Sequence, residues 1–229
     1  MKKNFTLVTF VLLFTTVQAL CSSFNNKREC RQAMAQIEKR VNMPFCNTTE
    51  TDSCNNMIAA LKNSQHLSIA DKTRLQYIEE NINKNAVGQE ASPIRFVTPN
   101  GESHSLSDYN TPLQLLYFND PDCESCHLVK SRLDTTQFIK TLVEQQQLTV
   151  IAIYPYDNEE LWHESTMPTF IVNGWDKEQR IDNEETYLLP SMPLFYLIEN
   201  GKIKVKNEPS LNQIVATLQA LTAKPSPTR

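Results

Sequence analysis

The sequence predicts an α/β domain over residues 88–222, carried behind a small all-helical unit over residues 20–87. Three observations predict it. From about Asn25 to Ala86 the apolar residues recur at helical spacing. From Gly88 the pattern changes to short runs rich in β-branched residues, with Asn-Gly turns at 100–101 and 200–201. Between two of those runs lies a long helical stretch, which implies a crossover between parallel strands, whereas the Asn-Gly turns imply an antiparallel edge.

The first residues are a different material. Lys2 and Lys3 precede a mostly apolar run over residues 5–17, followed by Val17-Gln18-Ala19. A basic head, an apolar stretch and small side chains at −3 and −1 describe a secretory signal over residues 1–19, cleaved after Ala19. The run is short of the roughly 20 residues that span a bilayer. Lipidation of Cys21 is the competing outcome, opposed by Leu20, which stands where lipoprotein signals carry a small residue. Both outcomes export the chain, to the periplasm or another space outside the cytosol, with no membrane span and, in the second case, a lipid anchor at Cys21.

In the helical unit, Cys30, Ala33, Met34, Ile37 and Val41 form one apolar stripe, and Cys54, Met57, Ile58 and Leu61 repeat it in a shorter helix. A third helix starts at Ser68, an N-cap with Asp71 three residues on, and runs through Leu75, Ile78 and Ile82. Met43-Pro44 and the polar stretch 47–53 are expected to break the first two helices. In the second part, residues 94–97 and 104–106 pair about Pro99-Asn100-Gly101. Residues 113–118 and 149–154 make buried strands, with a helix over roughly 124–146 between them. Residues 194–198 and 203–205 form a second hairpin, a helix runs from Leu211 to Leu221, and 223–229 is a tail.

Composition removes several functions. Removing residues 1–19 takes away two lysines and leaves 20 basic against 26 acidic residues, which argues against nucleic acid as a partner. The four glycines stand far apart, so no loop can cradle a phosphate. No G-x-S-x-G elbow supports a hydrolase.

The six cysteines fall into two groups, 21, 30, 46 and 54, then 123 and 126. Outside the cytosol paired cysteines are staples or redox-active. In an antiparallel hairpin of the first two helices, Cys54 lies near Cys46, while Cys30 is about a dozen residues back, or ~16 Å. The expected staples are therefore Cys46–Cys54 and, by elimination, Cys21–Cys30, which suit a unit too small for a large core.

Cys123-Glu124-Ser125-Cys126 follows the strand ending at Phe118 and opens the next helix. Free N–H groups and the positive end of the helix dipole favour a thiolate at Cys123, and Cys126, one turn in, can attack a mixed disulfide on the first sulfur. Cys123 is the expected nucleophile and Cys126 the resolving thiol. Asp120, Asp122 and Glu124 oppose the thiolate, which leans the expectation toward a reductase or isomerase.

The segments LLYFNDPDCESC, SMPLFYLIENGKI and GQEASPIRFVTPNGESHSL resemble the thioredoxin superfamily, most of all exported thioredoxin-like proteins of the TlpA/ResA type, over about residues 88–222. The resemblance implies a thioredoxin-like fold, a thiol-disulfide oxidoreductase acting on protein substrates with an unidentified redox partner, and no cofactor. It also matches Pro193 to the proline that family members hold in cis, so that Met192 meets substrate by main-chain contacts. Tyr117 departs from the pattern, standing where thioredoxins bury an acid.

Other readings compete. Cys123 to His127 also spells the C-x-x-C-H signal of c-type haem attachment. Zinc lacks a second Cys/His pair at suitable spacing, so no metal is expected. A redox-silent binding or assembly module would keep the scaffold without the chemistry. Trp162 and Trp175 read as packing residues, and the acids at 157–160 and 182–185 as solvated helix starts.

Overall fold

A computed structural model describes residues 24–45 and 48–223. Residues up to Asn42 with Thr48–Asn83 form one compact unit, and Met43–Phe45 with the chain from Lys84 onward form a second. Residues 1–23, 46–47 and 224–229, with the expected signal segment, Cys21 and Cys46 among them, lie outside the described residues.

The first unit packs three helices, α1 (Lys27–Val41), α2 (Thr48–Lys62) and α3 (Ile69–Asn83). Asn26 caps α1 by accepting from the Glu29 N–H at 3.0 Å. Ser68 and Asp71 close α3 reciprocally, the Ser68 N–H donating to Asp71 at 3.0 Å and the Asp71 N–H to Ser68 at 3.2 Å. The polar stretch 47–53 does not break the second helix. Residues from Thr48 are already helical, because Thr51 and Cys54 extend the buried stripe of Ile58 and Leu61, and Glu50 pairs with Arg40 at 2.8 Å. That ion pair and the contact of Cys30 with Ser64 at 3.3 Å run α1 and α2 antiparallel. Cys30 and Cys54 stand as buried thiols, while the partners expected for them, Cys21 and Cys46, lie outside the described residues.

The second unit is a mixed seven-stranded sheet in the order β2-β1-β5-β4-β3-β6-β7. Its strands are β1 (Arg95–Val97), β2 (Ser103–Ser105), β3 (Leu113–Phe118), β4 (Leu148–Tyr154), β5 (Ile171–Trp175), β6 (Leu194–Glu199) and β7 (Lys202–Glu208). β3, β4 and β5 are parallel, and the remaining pairs are antiparallel. Helices α4 (Glu124–Thr135) and α5 (Gln137–Glu144) cross from β3 to β4, and α8 (Leu211–Thr222) closes the chain. Their apolar faces cover Leu115, Tyr117, Val150, Ala152, Phe195 and Leu197. Leu211, Ile214 and Leu218 are all buried on α8, each contributing about 1.5–3 kcal/mol.

Two expectations fail here for local reasons. The single helix over 124–146 is two helices, because Thr136 leaves helical geometry at ψ 91 and its hydroxyl donates to the Arg132 carbonyl at 2.6 Å. The stretch between the strand expected over 149–154 and the hairpin at 194, where the sequence predicts no strand, holds a strand, β5, and two short helices, α6 (Glu159–Glu164) and α7 (Arg180–Asn183). Asn173 and Gly174 are poor strand formers, which hides β5 from propensity. Gly174 is required by closeness: a Cβ there would meet Phe96 Cδ2 at 2.6 Å and Ile153 Cδ1 at 2.9 Å.

The outer edge of β7 is covered by the chain itself. Phe45 exchanges both backbone bonds with Lys206, at 2.8 and 2.9 Å, and the Gly88 N–H donates to Ile203 O at 2.8 Å. Lys206 is 1% exposed, donates to the Lys84 carbonyl, and holds its ammonium 5.8 Å from the Phe45 ring centroid. Among the described residues no helix is long and apolar enough to cross a membrane.

Candidate active site: a dithiol facing a main-chain carbonyl

β3 delivers the chain to the site, and Asn119 fixes its exit, its N–H donating to the Ile153 carbonyl at 3.1 Å at the end of β4. The turn 120–123 follows, closed by the Cys123 N–H on the Asp120 carbonyl at 3.1 Å. Cys123 then sits as the N-cap of α4, with φ −90 and ψ 114. Its sulfur takes the place of a capping oxygen, accepting from the Cys126 N–H at 3.3 Å, and the Ser125 hydroxyl lies 3.0 Å away.

The two thiols differ sharply. Cys123 is half-buried; desolvation, the largest single influence, raises its thiol, but hydrogen bonds from Cys126 and Ser125 together outweigh it and leave the thiol below its usual value. Asp120, Asp122 and Glu124 are not among the leading influences on it, so the expected opposition of these acids does not decide its state. Cys126 is 3% exposed, and its thiol is pushed up to about 12, by burial first and then by its hydrogen bond to Cys123, with the Asp120 backbone N–H partly offsetting. One turn of helix therefore separates an accessible thiol poised to ionise from a covered one that resists ionising.

Tyr117 lies beneath the pair. Its hydroxyl donates to the Cys126 carbonyl at 2.8 Å, and its ring stacks on Phe195 with centroids 5.2 Å apart. Burial raises this phenol far above its usual range, so it stays neutral and serves as an anchor for α4, not as a base. Opposite Cys123 the loop before β6 ends at Met192-Pro193, a cis peptide bond. The Cys123 thiol points at the Met192 carbonyl from 3.8 Å. Cys123, Cys126, Met192 and Pro193 thus come together, although 69 residues separate Cys123 from Met192.

Trp162 and Trp175 pack instead of lining a groove. They are 2% and 5% exposed, stack at 5.5 Å, and satisfy both indole N–H groups, on Asn173 Oδ1 at 3.0 Å and the Tyr156 carbonyl at 2.8 Å. Asn158 caps α6, with Glu159 and Glu160 in its first turn. His127 is exposed on α4. No group of three or more His, Cys, Asp or Glu suited to a metal ion occurs among the described residues. Sequence reasoning missed Ser125, whose role depends on a 3.0 Å contact, and Tyr156. Burial raises the Tyr156 phenol first, with Asp120, Asp182 and the two thiols adding.

No family model and no curated protein matches the chain. Solved structures do. A conserved protein of unknown function from Bacteroides fragilis is 28% identical, with a TM-score of 0.55, over 58% of this chain and 98% of that one. A thioredoxin-like protein from Bacteroides caccae is 22% identical, with a TM-score of 0.62, over 84% of this chain and 77% of that one. A thiol:disulfide interchange protein from a Bacteroides species is 20% identical, with a TM-score of 0.51, over 63% of this chain and 95% of that one. The fold is thioredoxin-like, a mixed sheet flanked by helices with a helical region before it.

Proposed function

We propose that this protein is an extracytoplasmic thiol-disulfide oxidoreductase of the TlpA/ResA type that acts on protein disulfides through Cys123 and Cys126. The observation that carries this reading is the split between the two thiols across one helical turn, with the Met192 carbonyl 3.8 Å from the accessible sulfur. In the reducing direction the Cys123 thiolate attacks one sulfur of a substrate disulfide. A mixed disulfide forms, and the first substrate thiolate leaves and takes up a proton. Cys126 then loses its proton and attacks the Cys123 sulfur; the Cys123–Cys126 disulfide closes and the second substrate thiolate leaves. Two electrons and two protons pass to the substrate, and the reverse sequence oxidises a dithiol.

The substrate chain lies along the Met192 main chain, which offers a carbonyl beside the reacting sulfur. The neighbouring acids lean the pair toward a reductase or isomerase while the hydrogen bonds to Cys123 pull the other way, and the reduction potential of the pair tests that lean. Export supports Cys21–Cys30 and Cys46–Cys54 as staples of the helical unit, to be checked by thiol counting on exported protein.

The decisive experiment is trapping. Cys126→Ser should accumulate mixed disulfides with substrate proteins, seen as reductant-sensitive ladders on non-reducing gels, and Cys123→Ser should give none. A wild type that turns over no protein disulfide, together with a Cys126→Ser that traps nothing, leaves the redox-silent scaffold as the better account. A red protein that loses its colour with either cysteine would point to haem instead.

A further inference from the structure

We propose that Asn85 is a positioning residue for the redox pair, acting through the loop 184–193 on the Met192 carbonyl that faces Cys123. The proposal rests on the reading of Cys123 as the attacking thiol. Asn85 lies two residues beyond the end of α3, is 5% exposed, and holds a left-handed backbone at φ 48. Its amide is used in both directions. The oxygen accepts from the Ser92 N–H at 2.7 Å, closing the segment 85–92 on itself, and the nitrogen donates to the Thr186 carbonyl at 2.9 Å. That second bond joins residues 101 apart in sequence.

The same loop is hung at further points on the same segment and on the sheet. The Tyr187 hydroxyl donates to the Ser92 carbonyl at 2.7 Å, and Lys84 faces Glu185 at 3.6 Å. Behind it the Tyr196 hydroxyl donates to the Leu188 carbonyl at 2.9 Å, and the Tyr187 and Tyr196 rings meet edge to face at 5.0 Å. The loop is therefore anchored from Glu185 to Leu188 and again where it enters β6 at Leu194, and the stretch between presents Met192 to the sulfur. A main-chain hydrogen bond tolerates little error in distance or angle, so where the anchors sit decides whether a substrate strand is aligned with Cys123. The Lys84–Glu185 pair is too exposed to hold the loop alone.

Asparagine suits this position for two reasons. It tolerates the left-handed backbone, and its short side chain carries one donor group and one acceptor. Aspartate keeps the backbone and the bond from Ser92 but turns a carboxylate oxygen toward the Thr186 carbonyl. Asn85→Asp therefore breaks the link to the loop alone.

The test compares wild type, Asn85→Asp and Tyr187→Phe on two substrates: insulin, whose disulfides lie in a chain, and the small aromatic disulfide 5,5′-dithiobis(2-nitrobenzoate), which has no main chain to hold. Asn85→Asp should raise KM for insulin roughly tenfold, the cost of a lost hydrogen bond facing an unpaired carbonyl. The rate with the small disulfide should stay within about twofold of wild type. Tyr187→Phe should shift KM in the same direction by less. If Asn85→Asp does not fold, Tyr187→Phe, which cuts the loop's bond to the Ser92 carbonyl and leaves Asn85 intact, makes the comparison. The proposal is overturned if KM for insulin is unchanged in these variants, or if both substrates slow in parallel. A wild type inactive on both substrates overturns the oxidoreductase reading and this proposal together, whereas an active wild type with indifferent variants overturns this proposal alone.

Discussion

Replacing Cys123 with serine leaves Cys126 as the remaining thiol of the pair and measures how far burial silences it. Cys126 is 3% exposed, and its thiol rises from 9.0 to about 12, chiefly through desolvation. Serine keeps an oxygen at the N-cap, so the burial stays. The full rise would cut the thiolate fraction roughly a thousandfold at any pH below 9, and the substitution keeps the share due to burial while removing the share due to Cys123. The thiolate that does form is intrinsically more reactive, because nucleophilicity rises with pKa at a Brønsted slope of about 0.4–0.5. The two effects together leave Cys126 slower than a free cysteine toward iodoacetamide by at most roughly 30- to 60-fold, before any steric shielding. Alkylation of folded Cys123→Ser at pH 8, followed by peptide mapping to separate Cys126 from the buried Cys30 and Cys54, gives this rate directly. A Cys126 within about threefold of free cysteine would refute the burial reasoning. The linkage has a definite sign. Since the folded thiol ionises above the unfolded one, stability holds below pH 9 and falls as pH rises from 9 toward 12.

Three further outcomes are expected. Ser125→Ala should slow alkylation of Cys123 at pH 7 about threefold, because a hydroxyl 3.0 Å from the sulfur no longer stabilises the thiolate; an unchanged rate would remove Ser125 from the site. Burial pushes the Lys206 ammonium down to about 7, so the wild-type fold should gain stability as pH rises from there toward 10.5, while Lys206→Met should lack that rise. Urea unfolding at pH 6 and 9 checks this, and equal slopes in the two proteins would contradict it. Gly174→Ala should lower stability by about 1–3 kcal/mol, since its Cβ would press into Phe96 and Ile153; an unchanged melting temperature by circular dichroism would show that the sheet yields there.

The parts legible in the sequence were those that short-range chemistry dictates. β3 reads from its unbroken apolar run, and the position of Cys123 at a strand-to-helix junction follows from the helical periodicity that begins after it. The capped start of α3 is legible because Ser68 and Asp71 sit three residues apart. The rest depends on distance. β5 owes its place to Gly174, whose value is the room it leaves beside Phe96, and no local pattern records that. The break at Thr136 turns on a hydroxyl that competes with the helix, which periodicity cannot see. At the site, the charges at 120, 122 and 124 are conspicuous in the sequence, yet desolvation and the hydrogen bonds from Cys126 and Ser125 lead the influences on Cys123. Asn85 and Tyr187 carry no motif, because their partners lie about a hundred residues away.

The self-covered margin of β7 bears on how this protein can be cut. A fragment beginning at residue 84 would look like a sensible way to isolate the sheet, yet it would remove Phe45 and its paired backbone bonds to Lys206. The loss would bare an N–H and a C=O within a run that holds the buried Ile203 and Val205, which is the kind of margin another chain can pair with. The opposite margin, β2, is three residues of Ser-His-Ser and offers little to pair with. A shortened protein should therefore associate through the β7 side, whereas the chain that keeps Phe45 on Lys206 should stay dispersed in gel filtration.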